Sequence, residues 1–143
     1  MKIRFWEERD LSAIADLERE CFSDPWSSQA IEETAKRQDF IGLVLEFQGE
    51  VVGYVGCLFA FDQADILLIA VSKNHRGKGW GKTLLEKALG VLKINQVQNV
   101  FLEVRKSNLV ARSCYAGRGF KEIAERKGYY SDGEDAIIME KEI

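Results

Sequence analysis

The chain has 143 residues, 46% of them hydrophobic and 30% charged, and its formal net charge is −3 at neutral pH. These values predict one globular domain, residues 1–143, with one substantial core, and the negative charge argues against direct nucleic-acid binding. The longest nearly uncharged apolar run covers residues 51–61 and is too short to cross a membrane.

Apolar periodicity predicts elements in the order β, α, α, β, β, β, α, β, α, β, β. The predicted strands cover residues 2–6, 41–47, 51–61, 64–71, 100–105, 120–129 and 135–142. The predicted helices run from Leu11, capped by Asp10, to about 22, from about 28 to 37, from about 79 to 93, and from Asn108, as cap, to about 118, where Gly119 ends the helix. This order is typical of an α/β (α+β) protein with a mixed central sheet of about seven strands and helices on both faces.

The cysteines and the N-terminal residues indicate the cellular compartment. Cys21, Cys57 and Cys114 are odd in number, widely separated and without metal-ligand spacing, which favours buried free thiols in a reducing cytoplasm. The first residues have no apolar segment typical of a signal peptide. We therefore expect a cytoplasmic protein without a metal site, and we predict a monomer or a weak dimer.

Residues 69–83 carry the most informative pattern, because an apolar strand there enters a basic, glycine-rich turn that opens an amphipathic helix. Glycine lets the backbone approach a ligand closely, and a helix N-terminus presents N–H groups and a positive dipole end. Arg76, Lys78 and Lys82 add positive charge. The segment therefore predicts a phosphate-binding turn.

Two nucleotide motifs do not fit this turn. A Walker loop would need glycine where the chain has Arg76, although Gly81-Lys82-Thr83 matches the end of that motif. The dinucleotide fingerprint fails because the gap between Gly79 and Gly81 is one residue short. An ordinary glycine-rich loop with solvated lysines remains an alternative.

The spacing Arg76-x-x-Gly79-x-Gly81 resembles the pyrophosphate loop of the GCN5-related N-acetyltransferases (GNATs), which bind acetyl-coenzyme A. Three further segments, residues 22–27, 102–120 and 126–139, resemble the RimI-type branch, which acetylates protein N-termini. The resemblance covers nearly the whole chain and implies a GNAT fold with acetyl-coenzyme A as co-substrate. It also implies that the substrate is the N-terminal alanine of the eighteenth small-subunit ribosomal protein.

Two side chains in the second half could carry the chemistry. Glu103 lies on one face of a predicted strand whose other face is wholly apolar, and Tyr115 lies on the next helix. In isolation a strand glutamate is more often solvated than catalytic, and a tyrosine here could equally be a core aromatic. The resemblance implies that Glu103 is the general base, directly or through a water, and that Tyr115 protonates the leaving thiolate.

The resemblance also implies the coenzyme contacts. The pantetheine arm would lie along Ile69, Ala70 and Val71 like an added strand, with the Val71 N–H donating to the thioester oxygen. The residues expected at the pyrophosphate are Arg76, Gly77, Lys78, Gly79, Trp80, Gly81 and Lys82. Asn108 would be both a helix cap and a coenzyme contact.

For the substrate peptide we expect an aromatic rim beside an acidic loop, residues 132–135, that attracts basic peptides. The rim residues are Pro25, Trp26, Tyr129 and Tyr130. Each of them could instead serve only to start a helix or to form a hairpin turn.

Other functions remain open at this point. The chain could acetylate a lysine side chain or a small-molecule amine, or it could be a non-catalytic acetyl-coenzyme A-binding module, which would need neither Glu103 nor Tyr115. The single histidine, His75, lies in the phosphate-binding turn. We interpret it as a partly exposed loop residue and not as half of a Cys–His catalytic pair.

Overall fold

The computed structural model describes all residues, 1–143, and contains one seven-stranded sheet with the strand order β1-β2-β3-β4-β5-β7-β6. The strands are β1 (Lys2–Phe5), β2 (Phe40–Phe47), β3 (Glu50–Ala60), β4 (Gln63–Val71), β5 (Asn99–Arg105), β6 (Lys121–Arg126) and β7 (Ala136–Glu142). The helices are α1 (Leu11–Cys21), α2 (Ser28–Ala35), α3 (Trp80–Ile94) and α4 (Leu109–Ala116), and short 3-10 turns cover Glu8–Asp10 and Lys73–His75. The predicted fold class and element order are confirmed.

Each face of the sheet carries its own apolar core. On one face α3 packs Leu84, Leu85, Ala88 and Leu92 against buried residues of β2 to β5 and β7. On the other face, Ile14 and Leu17 of α1 and Ile31 of α2 pack against β2, β3 and β4. Leu89 of α3 is only partly buried. No helix is long and apolar enough to cross a membrane.

The strands β4 and β5 form a fork, which is the feature that positions the site. They are the only parallel neighbours in the sheet, and their pairing runs from Gln63–Asn99 to Ile66–Leu102. Strand β4 continues to Val71 and β5 to Arg105 without pairing to each other. The sheet is therefore split beyond Leu102, and one edge of β4 faces the opening.

Two predictions about single residues were wrong. Asp10 does not cap α1 through its side chain, because its carboxylate accepts hydrogen bonds from Arg4, at 2.7 and 2.9 Å, and from the Glu7 N–H at 2.7 Å. The 3-10 turn before α1 directs the side chain back to β1. Cys114 is exposed, whereas Cys57 is buried and Cys21 is partly buried, and all three are free thiols.

Candidate functional site

The open edge of β4 can accept an extended ligand. The Ser72 N–H donates to the Val52 carbonyl at 2.8 Å, which marks this pair as hydrogen-bonded in the β3–β4 ladder. Bonded and non-bonded pairs alternate along an antiparallel ladder, so Ile69 and Val71 direct their N–H groups away from β3 and into the fork. These are the two main-chain groups at which an added strand would pair.

The turn between β4 and α3, residues 72–79, is called the glycine turn below. Gly77 and Gly79 have φ of +80° and +78°, a left-handed conformation that favours glycine, and a Cβ at either position would find no atom within 4 Å. Gly79 directly precedes α3. The space above the helix start is therefore open, and the free N–H groups of the first helical turn border it.

The positive side chains of the turn have different surroundings. Arg76 Nε donates to the Val71 carbonyl at 3.0 Å, which holds the guanidinium at the end of β4. The Lys78 ammonium lies over aromatic rings, 4.7 Å from the Trp80 centroid and 5.4 Å from the Phe47 centroid. Lys82 is exposed. Arg76 and Lys82 are thus available to an anion at the turn, whereas Lys78 packs beside it.

His75 belongs to the same aromatic group. Its ring stacks on Trp80 with centroids 5.8 Å apart and meets Phe47 at 5.7 Å. Its Nδ1 is buried and has no hydrogen-bond partner. The interpretation as a partly exposed residue is confirmed, and its role here is to pack the turn against the β2–β3 hairpin.

Glu103 and Tyr115 lie on opposite sides of the fork. Glu103 follows Leu102, the last residue of β5 that pairs with β4, and points away from the buried face formed by its neighbours Leu102 and Val104. Tyr115 packs on the α3 side, edge-to-face with Phe120 at 5.8 Å. A ligand that passes through the fork can therefore contact a carboxylate on one side and a phenol on the other.

The two groups differ in their electrostatic surroundings. Burial, followed by the neighbouring Cys114 and Tyr130, raises the pKa of Tyr115 to about 12, so the phenol keeps its proton at neutral pH. Glu103 Oε1 lies 3.6 Å from Nη1 of Arg126, an exposed side chain that a substrate ammonium could displace. Interaction with the Glu103 carboxylate is the first cause that raises the pKa of Tyr129 to about 12.

The predicted rim residues come from two loops that are joined in the structure. Ser131 Oγ donates to the Asp24 carboxylate at 2.9 Å and links the segment before α2 to the segment after β6. Tyr129 and Tyr130 pack edge-to-face with centroids 5.1 Å apart. Burial raises the pKa of Tyr130, and the Glu103 charge is the next contribution. Tyr129 and Tyr130 thus border Glu103.

The carboxylates of the acidic loop are engaged in ion pairs, and the attraction of a basic peptide to this loop stays a prediction. Arg105 Nη1 lies 2.8 Å from Asp132 and 2.9 Å from Glu134, and Lys127 lies 3.2 Å from Asp135. The Glu134 carboxylate also accepts from the Ser107 N–H at 2.9 Å. The loop's charges hold the loop to β5 and to its own hairpin.

Asn108 is the predicted cap of α4. Its Oδ1 accepts from the Ala111 N–H at 3.1 Å, so the capping half of its predicted role is confirmed. Gly119 has φ of +92° and follows the end of α4, where it reverses the chain into β6. Its predicted place as the left-handed residue after the helix is also confirmed.

Sequence reasoning missed two residues that organise the site. Arg105 pairs with the loop after β6, and Glu18 of α1 is buried beneath the segment before α2. The sequence held a signal for Glu18, because it is a charged residue within the apolar stripe that contains Ile14 and Leu17. It held no signal for Arg105, because the partners of Arg105 lie far along the chain.

The fold and the fork together define an N-acetyltransferase. The model of the acetyltransferase (GNAT) family matches residues 11–120, and the chain belongs to this family. It is accordingly an acyltransferase whose acetyl donor is acetyl-coenzyme A.

Comparison with individual proteins agrees. The chain is 35% identical to an uncharacterized N-acetyltransferase of Methanocaldococcus jannaschii, over 99% of this chain and 91% of that protein. It is 34% identical to the ribosomal protein bS18-alanine N-acetyltransferase of Haemophilus influenzae, over 93% and 92% of the two chains. The crystal structure of the ribosomal-protein-S18-alanine N-acetyltransferase from Escherichia coli superposes with a TM-score of 0.93 at 32% identity, over 99% of this chain and 93% of that one.

Proposed function

We propose that the chain acetylates the α-amine of a protein N-terminus, and that the N-terminal alanine of ribosomal protein bS18 is its substrate. The observation that carries the proposal is the fork, which has Glu103 and the Tyr129–Tyr130 rim on one side and Tyr115 on the other. The names of the Haemophilus influenzae and Escherichia coli relatives support the choice of substrate.

In this proposal the main chain holds the donor. The N–H groups of Ile69 and Val71, with Ala70 between them, pair with the pantetheine arm in the fork. The residues that surround the pyrophosphate are Arg76, Gly77, Lys78, Gly79, Trp80, Gly81 and Lys82, with Lys78 contributing its backbone N–H. Asn108, at the start of α4, contacts the coenzyme beside its cap role.

Proton transfer needs two groups on the two sides of the donor. Glu103 takes a proton from the substrate ammonium, directly or through a water, and the neutral amine attacks the thioester carbon. An α-amine has a pKa near ~8, so this step needs little driving force. The Val71 N–H donates to the carbonyl oxygen as it gains negative charge.

The second transfer completes the balance. The new C–N bond forms while the C–S bond breaks, and the departing sulfur receives the Tyr115 proton. The nitrogen of the new amide gives up its second proton, which returns to the Tyr115 phenolate through solvent, and the proton held by Glu103 leaves to solvent. Because its pKa is raised to about 12, Tyr115 is protonated at neutral pH and can act as the acid. No protein nucleophile takes part, and the products are an N-acetylated peptide and coenzyme A.

The peptide would enter over the rim. Pro25 and Trp26, in the segment before α2, and Tyr129 and Tyr130, after β6, lie in the two loops joined by the Asp24–Ser131 hydrogen bond. Aromatic side chains offer a rigid contact surface at low entropic cost. A rim made from two loops suits an extended peptide end better than a free amino acid.

A peptide panel tests the proposal. Acetyl-coenzyme A is supplied with a peptide that begins with alanine and carries the N-terminal sequence of bS18, with variants that differ only in the first residue, and with the same peptide blocked at its N-terminus. Free lysine and a polyamine complete the panel. We expect the alanine peptide to react fastest and the blocked peptide to be inert. Equal acetylation of the blocked peptide, on lysine, or preference for the small amines would overturn the proposal.

A further inference from the structure

Glu18 is a buried carboxylate that the proposed chemistry does not use. It lies in the last turns of α1 with 2% of its surface exposed, beside the apolar residues Ile14 and Leu17. Its Oε1 accepts from the Trp26 N–H at 3.0 Å, and its Oε2 accepts from the hydroxyl of Tyr54, which is itself fully buried. Burial and the hydrogen bond to Glu18 raise the pKa of Tyr54, so its hydroxyl remains a donor.

Stability alone is a poor reason for this arrangement. A buried charge gives up its hydration, and replacing a buried ionic group by a well-packed apolar one is often neutral or stabilising. A buried polar group that is fully hydrogen-bonded, however, fixes the geometry of what it binds. The groups that Glu18 binds are the backbone just before α2 and a tyrosine of β3.

The backbone that Glu18 holds is the segment of residues 22–27, called the substrate loop below. Glu18 binds it at Trp26, Ser27 Oγ caps α2 by accepting from the Ala30 N–H at 3.1 Å, and Asp24 joins it to Ser131. Of these three attachments only the one to Glu18 comes from a buried side chain, and the other two hydrogen bonds are exposed. The hydrogen bond to Glu18 therefore fixes the position of Pro25 and Trp26 relative to the sheet.

The same turn of α1 also contacts the other half of the site. Glu20 Oε2 accepts from the Lys73 N–H of the glycine turn at 3.0 Å. Two glutamates, two residues apart, thus bind the substrate loop and the glycine turn respectively. This pair offers an internal comparison, because an identical substitution can be made in each.

We propose that Glu18 is a positioning residue for the acceptor peptide: its buried carboxylate holds the substrate loop in the shape that receives the peptide N-terminus. The inference rests on the proposed function, because the loop is assigned to the peptide there. Glu20, by contrast, positions the glycine turn and so affects the binding of the coenzyme.

The test compares Glu18→Met, Glu18→Gln and Glu20→Met in steady-state kinetics with the alanine peptide and acetyl-coenzyme A. Methionine leaves the Trp26 N–H and the Tyr54 hydroxyl without their partner, so Glu18→Met should raise KM for the peptide at least about tenfold. KM for acetyl-coenzyme A should change less than about twofold. Glutamine can still accept from the Trp26 N–H, so Glu18→Gln should restore most of the peptide KM. Glu20→Met should raise KM for acetyl-coenzyme A and spare that for the peptide.

Two outcomes would overturn the inference. One is a lower thermal midpoint for Glu18→Met with both KM values unchanged, which would make Glu18 purely structural. The other is an equal rise of both KM values, which would show that Glu18 does not act specifically on peptide binding.

Hydrogen exchange separates this inference from the proposed function. The Trp26 amide should be protected in the wild-type protein and should exchange faster in Glu18→Met, whatever the substrate. An unprotected Trp26 amide in the wild type would refute the role of Glu18 in holding the loop. If that amide is protected but the wild type acetylates no peptide, the proposed function fails and the assignment of the loop to a peptide fails with it.

Discussion

The Cζ atom of Arg105 lies 4.1 Å from the centroid of the Tyr130 ring, and the same guanidinium pairs with Asp132 and Glu134 at 2.8 and 2.9 Å. The Arg105 side chain is 23% exposed. One residue of β5, two positions after Glu103, therefore holds the loop that borders Glu103.

Replacing Arg105 by methionine should release this loop. We expect the free energy of unfolding to fall by roughly 1–2 kcal/mol, as for hydrogen bonds to a charged group that is partly exposed. KM for the peptide should rise, because Tyr130 loses its support, while the affinity for acetyl-coenzyme A should hold. Urea unfolding and peptide kinetics measure both effects. Lys127→Met, which removes an exposed cation from the same hairpin, is the control, and equal effects of the two variants would contradict the special role of Arg105.

Glu103→Gln should lower kcat by about 10²–10⁴-fold, the usual contribution of a general base. Glutamine has the same shape but cannot take the proton, so the affinity for the coenzyme should be unchanged in calorimetric titration. Asp65→Asn is the control, because Asp65 is the neighbouring carboxylate on β4, and burial followed by the Glu103 charge raises its pKa. Wild-type turnover in Glu103→Gln would remove Glu103 from the mechanism.

Tyr115→Phe should slow the reaction and leave the fold intact, because the ring contact with Phe120 remains. The wild-type pH profile makes a further prediction. A phenol with the ordinary pKa of 10 would be half ionised at pH 10, whereas Tyr115, with its pKa raised to about 12, keeps its proton there. Ionisation of Tyr115 should therefore not lower the rate between pH 8 and 10. A fall centred on pH 10 that is absent in Tyr115→Phe would show that the phenol titrates normally.

Gly79→Ala should weaken coenzyme binding through the backbone. The left-handed φ of +78° costs a non-glycine residue about 1–2 kcal/mol, although a Cβ there meets no atom. Gly49→Ala is a matched control, since Gly49 has φ of +80° and equally open surroundings in the β2–β3 hairpin. Both variants should lose similar stability on thermal unfolding, and only Gly79→Ala should raise the Kd for acetyl-coenzyme A. A similar Kd for both would place the coenzyme elsewhere.

The features that depend on residues close together in the sequence were predictable. The order of strands and helices follows from apolar periodicity, and the glycine-rich turn is visible in the sequence between a strand and the start of a helix. Ends of elements shifted where tertiary contacts compete with local preference. β6, for example, ends at Arg126 because the chain turns at Gly128, with φ of +61°, to bring Tyr129 and Tyr130 toward Glu103.

The partners of charged residues were not predictable. Asp10 satisfies every local rule for a helix cap, yet the guanidinium of Arg4 takes its carboxylate. Acidic residues 132–135 look unpaired in the sequence, whereas Asp132 and Glu134 pair with Arg105 and Asp135 pairs with Lys127. An ion pair depends on which side chains arrive at the same place, and local spacing does not contain that information.

The sequence by itself determined the class of fold and the glycine turn, because each depends on residues that are close together along the chain. Only the tertiary structure decided that β4 and β5 part after Leu102, that Glu103 and Tyr115 lie on opposite faces of the sheet, and that Glu18 lies buried under the substrate loop. These features arise where distant segments pack, because hydrogen-bond pairing and burial are settled by the whole sheet and its helices together.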